Sequence, residues 1–169
     1  MQLSDLKIPN WFVHNKWAKK AGIEELIANI VNRIIDYGVN WVLNDNKSKI
    51  PEYDDPIILR QLKFFHKRDL EKKYSKENLF VKACYMHHLL DFFRETRVNI
   101  NDMELVFKKF LESKVIIKYI DNDNVINFQK EVDEIFQLLR ENKYEFYEDL
   151  KGMYLLNMEN NDIENKKKS

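Results

Sequence analysis

Apolar residues recur at helical spacing along most of the chain, and this pattern predicts an all-α fold. Between residues 23 and 37, isoleucine and leucine side chains fall three or four positions apart and define one apolar stripe. The same spacing continues through 103–111 and 125–139. The pattern predicts six or seven helices, at about 11–21, 23–37, 56–74, 76–97, from 101 onward, at 125–139 and at 144–156.

Capping and terminating residues support several of these boundaries. Gly22 follows the first helix and suits its C′ position, and Gly38 is predicted to end the second helix. Ser75 suits the N-cap of the fourth. Asn101 and Glu104 have the spacing of a capping box at the start of the fifth helix. Residues 115–120 are rich in β-branched side chains, which favours either the end of that helix or a short strand.

No linker separates two apolar regions, so the sequence predicts a single helical domain over residues 1–156 with orthogonal or bundle-like packing. No sheet larger than a short hairpin is expected. The polar stretch 157–169 ends in three lysines and a serine and is predicted to be a disordered tail. The predicted core consists of apolar residues from the helical stripes: Ile27, Ile30, Leu62, Phe65, Leu90, Phe107, Phe110, Val132 and Ile135.

Composition excludes several classes of protein. In 169 residues, 28 basic side chains balance 28 acidic ones, so no broad basic face for nucleic acid is indicated. Hydrophobic residues make up 44%, too many for a disordered chain. Cys84 is the single cysteine, which rules out an intramolecular disulfide and a thiolate-rich zinc site. No apolar run approaches the roughly 18 residues of a membrane helix, and the N-terminus lacks a signal-peptide pattern, so a cytoplasmic protein is expected.

The histidines carry the main chemical signal. His14 lies on the first predicted helix, His66 on the third, and His87 and His88 on the fourth. Asp91 follows His87 by four residues, which places both side chains within about 40° on one helix face. Helical folds hold catalytic metals with imidazole and carboxylate groups from facing helices. We therefore predict a divalent metal site (zinc, manganese or iron) formed by His14, His66, one of the two adjacent histidines, and Asp91.

This order of residues resembles two families of helical metal-dependent hydrolases, the HD-domain phosphohydrolases and the zinc-dependent phospholipase C-like proteins. The resemblance covers about the first hundred residues and rests on 11–14 (Trp-Phe-Val-His), Asp55, His66 and 87–91 (His-His-Leu-Leu-Asp). The adjacent His-Asp pair of the first family is absent. No histidine follows His88, so the later ligands of the second family are missing. A mononuclear or dinuclear site is the most that these residues supply.

The resemblance implies hydrolysis of a small phosphorylated substrate. A bound ion would lower the pKa of a water molecule and polarise the phosphoryl oxygen. Asp69 or Asp55 would orient a histidine or act as the base. Lys67 and Arg68 would bind the substrate phosphate.

Three other interpretations are compatible with the sequence. In the first, the histidines are ordinary hydrogen-bonded core residues, and Asp91 pairs with Arg94 one turn later. In the second, the protein is a non-catalytic helical module that binds a protein partner through its aromatic-rich surface. In the third, Arg60 and His66 form an Arg-x5-His spacing that resembles HEPN-type ribonucleases, which need the two residues to meet at a dimer interface.

Overall fold

The computed structural model describes residues 11–38, 57–71, 77–95, 102–113, 115–152 and 167. These residues form seven helices and one β-hairpin, which confirms the predicted mostly all-α class. In chain order they are α1 (Trp11–Lys20), α2 (Glu25–Tyr37), α3 (Ile57–Glu71), α4 (Leu79–Glu95), α5 (Met103–Glu112), β1 (Lys118–Asp121), β2 (Asn124–Asn127), α6 (Gln129–Glu141) and α7 (143–152). None of the described helices has both the length and the apolar character needed to span a membrane.

Glycines end the first two helices, as the sequence predicts. Gly22 and Gly38 have φ angles of +80° and +86°, a region that L side chains rarely adopt. The backbone N–H of Gly22 donates to the carbonyl of Lys19, and that of Gly38 donates to the carbonyl of Ile34. The last turn of each helix is thereby closed, and the chain turns away from the helix axis.

Helix α4 is the centre of the fold and is buried on nearly all sides. It contacts α1, α2, α3, α5 and α6. All nine predicted core residues lie in this interior, and all except the half-buried Ile30 are fully buried. Aromatic rings pack between α4 and α7 and between α5 and α6: the ring centroids of Phe93 and Phe146 lie 4.9 Å apart, and Phe107 stacks on Phe136 with centroids 4.1 Å apart.

Two side-chain contacts show that α3 runs antiparallel to α4. Near the start of α3, the Oε1 atom of Gln61 lies 2.7 Å from Nε2 of His88. Near its end, the carboxylate of Asp69 accepts hydrogen bonds from the backbone N–H groups of Phe80 at 2.8 Å and Val81 at 3.0 Å. The C-terminal part of α3 therefore lies beside the N-terminal part of α4.

The region before α6 differs from the predicted helix over 125–139. Strands β1 and β2 pair antiparallel, with Ile120 opposite Val125, and α6 begins only at Gln129. Asn122 and Asp123 connect the strands with φ angles of +47° and +65°, the two positive values that a type I′ hairpin turn requires. The predicted helix over 125–139 therefore joined residues of β2 to those of α6. Val125 fits both the two-residue period of a strand and the 3.6-residue period of a helix.

The start of α5 also differs from the predicted capping box. Asp102 is the N-cap, and its carboxylate accepts a hydrogen bond from the backbone N–H of Leu105 at 3.1 Å. Glu104 instead forms a bidentate pair with Arg140 of α6, at 2.6 and 3.0 Å. Several predicted features lie outside the described residues: Ser75, Asn101, Asp55 and nearly all of the predicted tail.

Candidate metal centre

Three side chains from two helices meet near the C-terminal half of α4. Nε2 of His14 in α1 lies 3.1 Å from Oδ1 of Asp91, and Nε2 of His87 lies 3.1 Å from Oδ2 of the same carboxylate. One nitrogen of each histidine and one oxygen of Asp91 all lie within 4.8 Å of one another. Among the described residues, no other group of three His, Cys, Asp or Glu side chains is this compact.

A fourth side chain, Asp36 in the last turn of α2, contacts His87 from outside this group of three. Its Oδ1 lies 3.3 Å from Nε2 of His87, and its Oδ2 accepts a hydrogen bond from Nε1 of Trp11 at 2.8 Å. Sequence reasoning did not select Asp36, since a single Asp at the end of an amphipathic helix carries no distinguishing spacing. The four side chains His14, Asp36, His87 and Asp91 form a candidate metal centre, which is called the metal centre below for short.

A row of amides fixes the orientation of the His87 ring. Nδ2 of Asn15 donates to Oδ1 of Asn29 at 2.8 Å, and Nδ2 of Asn32 donates to Oδ1 of Asn15 at 2.9 Å. These bonds leave Oδ1 of Asn32 to accept a hydrogen bond from Nδ1 of His87 at 2.7 Å. Because Nδ1 donates to an amide oxygen, Nε2 carries the lone pair in the neutral ring.

The Nε2 atom of His87 is close to two carboxylates but aligned with neither. The residue is 2% exposed, and Nε2 has no hydrogen bond of acceptable geometry despite contacts of 3.1 and 3.3 Å with Asp91 and Asp36. A buried polar atom without an aligned partner costs free energy. This nitrogen is therefore available to a further partner placed among the surrounding oxygens.

The pKa values of His87, Asp91 and Asp36 are shifted by their surroundings. Burial alone would lower the pKa of His87, but Asp36 and Asp91 outweigh burial and raise it. Burial alone would raise the pKa of Asp91, but contacts with His14 and His87 hold it well below its ordinary range. Asp36 behaves in the same way, with burial outweighed by His87 and Trp11, so its pKa is lowered. Both carboxylates are consequently ionised at neutral pH.

The metal centre opens to solvent on its carboxylate side. His14 and His87 are 3% and 2% exposed, whereas the side chains of Asp36 and Asp91 are 22% and 21% exposed. The imidazole rings are buried where α1, α2 and α4 contact one another. A small polar molecule can therefore approach the oxygens while the nitrogens remain shielded.

His88 lies on another side of α4 and does not join the metal centre. Its Nε2 is 2.7 Å from Oε1 of Gln61 in α3. Burial, together with the nearby His87, lowers its pKa to about 4, so the ring is neutral at pH 7. Of the two adjacent histidines that the sequence offered, the structure brings His87 to the group.

His66 does not join the group either, which corrects the predicted convergence of residues from the first, third and fourth helices. Its ring packs against Phe128 at 5.2 Å, and the charges that act on it are those of Asp121 and Glu131. Burial lowers its pKa, and its Nδ1 is buried without a hydrogen-bond partner. The cause is the antiparallel register, because the end of α3 lies beside the far end of α4.

Asp69 has a structural role rather than the predicted role of a base. Both of its oxygens accept backbone N–H groups at the N-terminus of α4. Phe80, at that end, precedes Asp91 by eleven residues, which is about 16 Å along the helix. Lys67 is exposed, and Arg68 contacts Glu71 at 3.6 Å. Both lie in the part of α3 that is beside the start of α4, so neither predicted phosphate ligand lies near the metal centre.

The Arg-x5-His spacing places its two side chains on different faces of α3. Six residues of helix correspond to about 600°, so Arg60 and His66 are separated by about 120° around the axis. Both are half-buried, and each has one buried nitrogen without a hydrogen-bond partner. A shared catalytic surface for the two residues therefore has no support from their geometry.

Comparisons with protein-family models, with curated proteins and with solved structures find no match to this chain. The geometry of the metal centre and the order of its residues are therefore the observations on which a function can be argued.

Proposed function

We propose that this protein binds one divalent metal ion at the metal centre and uses it to hydrolyse a phosphoester. The observation that carries the proposal is that one ring nitrogen of His14, one of His87 and one oxygen of Asp91 lie within 4.8 Å of one another. Three potential ligands from two helices meet in a fold whose interior is mostly apolar. Such convergence of imidazole and carboxylate groups between helices is typical of metal sites in helical proteins.

The distances fit a tetrahedral ion. Zinc–ligand bonds of about 2.0–2.2 Å require neighbouring ligand atoms to lie roughly 3–4 Å apart. The contacts of His14 and His87 with Asp91 are both 3.1 Å, and the contact of His87 with Asp36 is 3.3 Å. Two imidazoles with one or two carboxylates suit zinc, manganese or iron.

The surroundings of the metal centre also fit a bound ion. Metal-ligating histidines usually donate their other ring nitrogen to an oxygen, which fixes the tautomer and the ring orientation. The hydrogen bond from His87 Nδ1 to Asn32 supplies this arrangement, and Asn15 holds Asn32 in turn. Trp11 holds the Asp36 carboxylate in place by donating to its second oxygen.

The chemistry proposed is attack of water on phosphorus. A bound divalent ion lowers the pKa of water and polarises the phosphoryl oxygen. Asp36, ionised and open to solvent, accepts the proton that the attacking water releases. A new bond forms between the water oxygen and phosphorus, the bond to the leaving oxygen breaks, and the proton passes to that oxygen.

The first test is elemental analysis of untagged protein purified without chelator. We expect about one equivalent of zinc, manganese or iron per chain. Hydrolysis of p-nitrophenyl phosphate and of bis-p-nitrophenyl phosphate should require the ion and stop in excess EDTA. Absence of a stoichiometric ion, both as purified and after dialysis against each of these metals, would overturn the proposal and leave the protein-binding module as the better interpretation.

A second test separates binding from catalysis. Asp36→Asn keeps an oxygen near His87 but removes the carboxylate that accepts the proton. We expect metal affinity to fall at most about tenfold, and the rate of hydrolysis to fall by about 10²–10⁴, the usual contribution of a general base. Equal loss of metal and of rate would instead make Asp36 a metal ligand.

A further inference from the structure

Arg94 places a guanidinium at the solvent-facing edge of the metal centre. Its Nη2 lies 3.5 Å from Oδ1 of Asp91, the oxygen that also contacts His14. The other ionic contact of Nη2 is with Oε1 of Glu95 at 3.7 Å. Both distances exceed the roughly 2.7–2.9 Å of a strong charge-assisted hydrogen bond. The side chain is 32% exposed, so its N–H groups can reach a ligand from solvent.

We propose, building on the function proposed above, that Arg94 binds the phosphate group of the substrate beside the metal ion. A guanidinium presents paired N–H groups in a planar fork, which matches two oxygens of one phosphate. Arg94 follows Asp91 by three residues, so the helix pitch places the two side chains on neighbouring parts of one face. The phosphate would then contact the ion on one side and Arg94 on the other.

The charge balance of the metal centre favours an anionic ligand. Two carboxylates, from Asp36 and Asp91, offset the two positive charges of a divalent ion, and ligating histidines are neutral. When Arg94 is included, the metal centre has a net charge of one positive unit. Glu95 offsets this only weakly, because its side chain is 71% exposed and its charge is screened by water. A cationic substrate would be repelled at the same edge.

This assignment replaces Lys67 and Arg68 as phosphate ligands. Both precede Asp69, which caps the opposite end of α4, whereas Arg94 is one turn from a residue of the metal centre. Arg68 is therefore a matched control: it has the same side chain as Arg94, a partly exposed surface position and a contact with a neighbouring glutamate at 3.6 Å.

The test measures phosphate binding rather than turnover. Protein loaded with Mn²⁺ is titrated with inorganic phosphate, and binding is followed by broadening of the ³¹P resonance by the bound ion and by calorimetry. Charge-assisted hydrogen bonds contribute about 1.5–3 kcal/mol. We therefore expect Arg94→Ala to weaken phosphate binding by about tenfold to a hundredfold. Mn²⁺ affinity should stay within about threefold, and Arg68→Ala should match the wild type in both measurements.

The outcomes distinguish failure of the role of Arg94 from failure of the proposed function. If Arg94→Ala retains Mn²⁺ and binds phosphate as tightly as the wild type, the assignment of Arg94 is wrong and the metal centre stands. If Arg68→Ala weakens phosphate binding as much as Arg94→Ala, the effect is one of overall charge, and the assignment is again wrong. If the wild type binds no Mn²⁺ at this cluster, the proposed function and the role of Arg94 both fail.

Discussion

His87 and His88 are neighbours in α4, yet the side chain of His87 faces carboxylates and that of His88 faces a neutral amide. His87 faces α1 and α2, where its Nε2 lies within 3.3 Å of carboxylate oxygens of Asp36 and Asp91. His88 faces α3, where its Nε2 meets the neutral amide of Gln61 at 2.7 Å. The two rings differ by about 100° around the helix, and their pKa values shift in opposite directions.

The comparison shows that two successive histidines of one helix can have different roles. On the α3 side, Nε2 of His88 contacts one neutral amide oxygen, that of Gln61. This contact joins α4 to α3 and involves no charged group. On the α1 and α2 side, His87 has one nitrogen held by Asn32 while the other faces more negative charge than a single imidazole neutralises. Only that side has the composition of a metal site.

The largest expected difference between the two histidines is in metal retention. His87→Ala removes a proposed ligand nitrogen and should lower the affinity for zinc by more than about a hundredfold, whereas His88→Ala should change it by less than about threefold. Competition with a chromogenic chelator measures both. His66→Ala, which changes a histidine outside the metal centre, is the matched control. Equal losses in His87→Ala and His88→Ala would contradict the assignment.

The pH dependence of stability in the metal-free protein should differ in sign between the two positions. The raised pKa of His87 gives a contribution that is present below about pH 6.5 and lost as the pH rises through the folded-state value. The lowered pKa of His88 costs stability as the pH falls from about 6.5 to about 4. The cost at His88 is of the order of 3 kcal/mol at the acid end.

Urea unfolding in EDTA from pH 4 to 8.5 tests this difference in sign. His87→Gln should reduce the loss of unfolding free energy above pH 6.5, and His88→Gln should reduce the loss below it. The charged groups facing His87 are Asp36 and Asp91, with His14 beside them, and they are unchanged in both variants. Parallel curves for the two variants would show that the two histidines share one environment.

The amide row that orients His87 should have a smaller effect. Asn32→Ala removes the acceptor for His87 Nδ1, and loss of such an orienting partner usually costs about 10–100-fold in metal affinity. Asn29→Ala, at the far end of the row, should cost less than about threefold. Isothermal titration of zinc into each variant measures the difference. A loss as large in Asn29→Ala as in Asn32→Ala would mean that the row acts through folding and not through His87.

The smallest effect on the metal centre is expected at Asp69. Asp69→Ala removes the cap of α4 and should lower the free energy of unfolding by about 1–2 kcal/mol, in the range measured for N-caps. Metal affinity should be unchanged, because the cap lies about 16 Å along α4 from Asp91. Thermal unfolding and zinc titration measure the two quantities. Loss of metal in a folded Asp69→Ala protein would restore Asp69 as a functional residue.

The sequence determined what depends on local geometry. The 3.6-residue period predicted helices α1 to α5 and the core residues that line them, and Gly22 and Gly38 ended α1 and α2 as expected. The same period fixed His87 and Asp91 on one face of α4 before any tertiary contact was known. Residues 115–120 favoured either a helix end or a short strand, and β1 lies at Lys118–Asp121. Strand β2 and its turn were not predicted, because Asn122 and Asp123 allow the turn without a glycine.

Tertiary structure alone decided which distant residues meet. Asp36 joins the metal centre because the last turn of α2 lies against α4, and His66 is excluded because α3 runs antiparallel to α4. Sequence spacing describes angles around one helix but contains neither the relative direction nor the relative offset of two helices. Those are set by packing of the whole core, so an i,i+4 pair could be predicted while its partners on other helices could not.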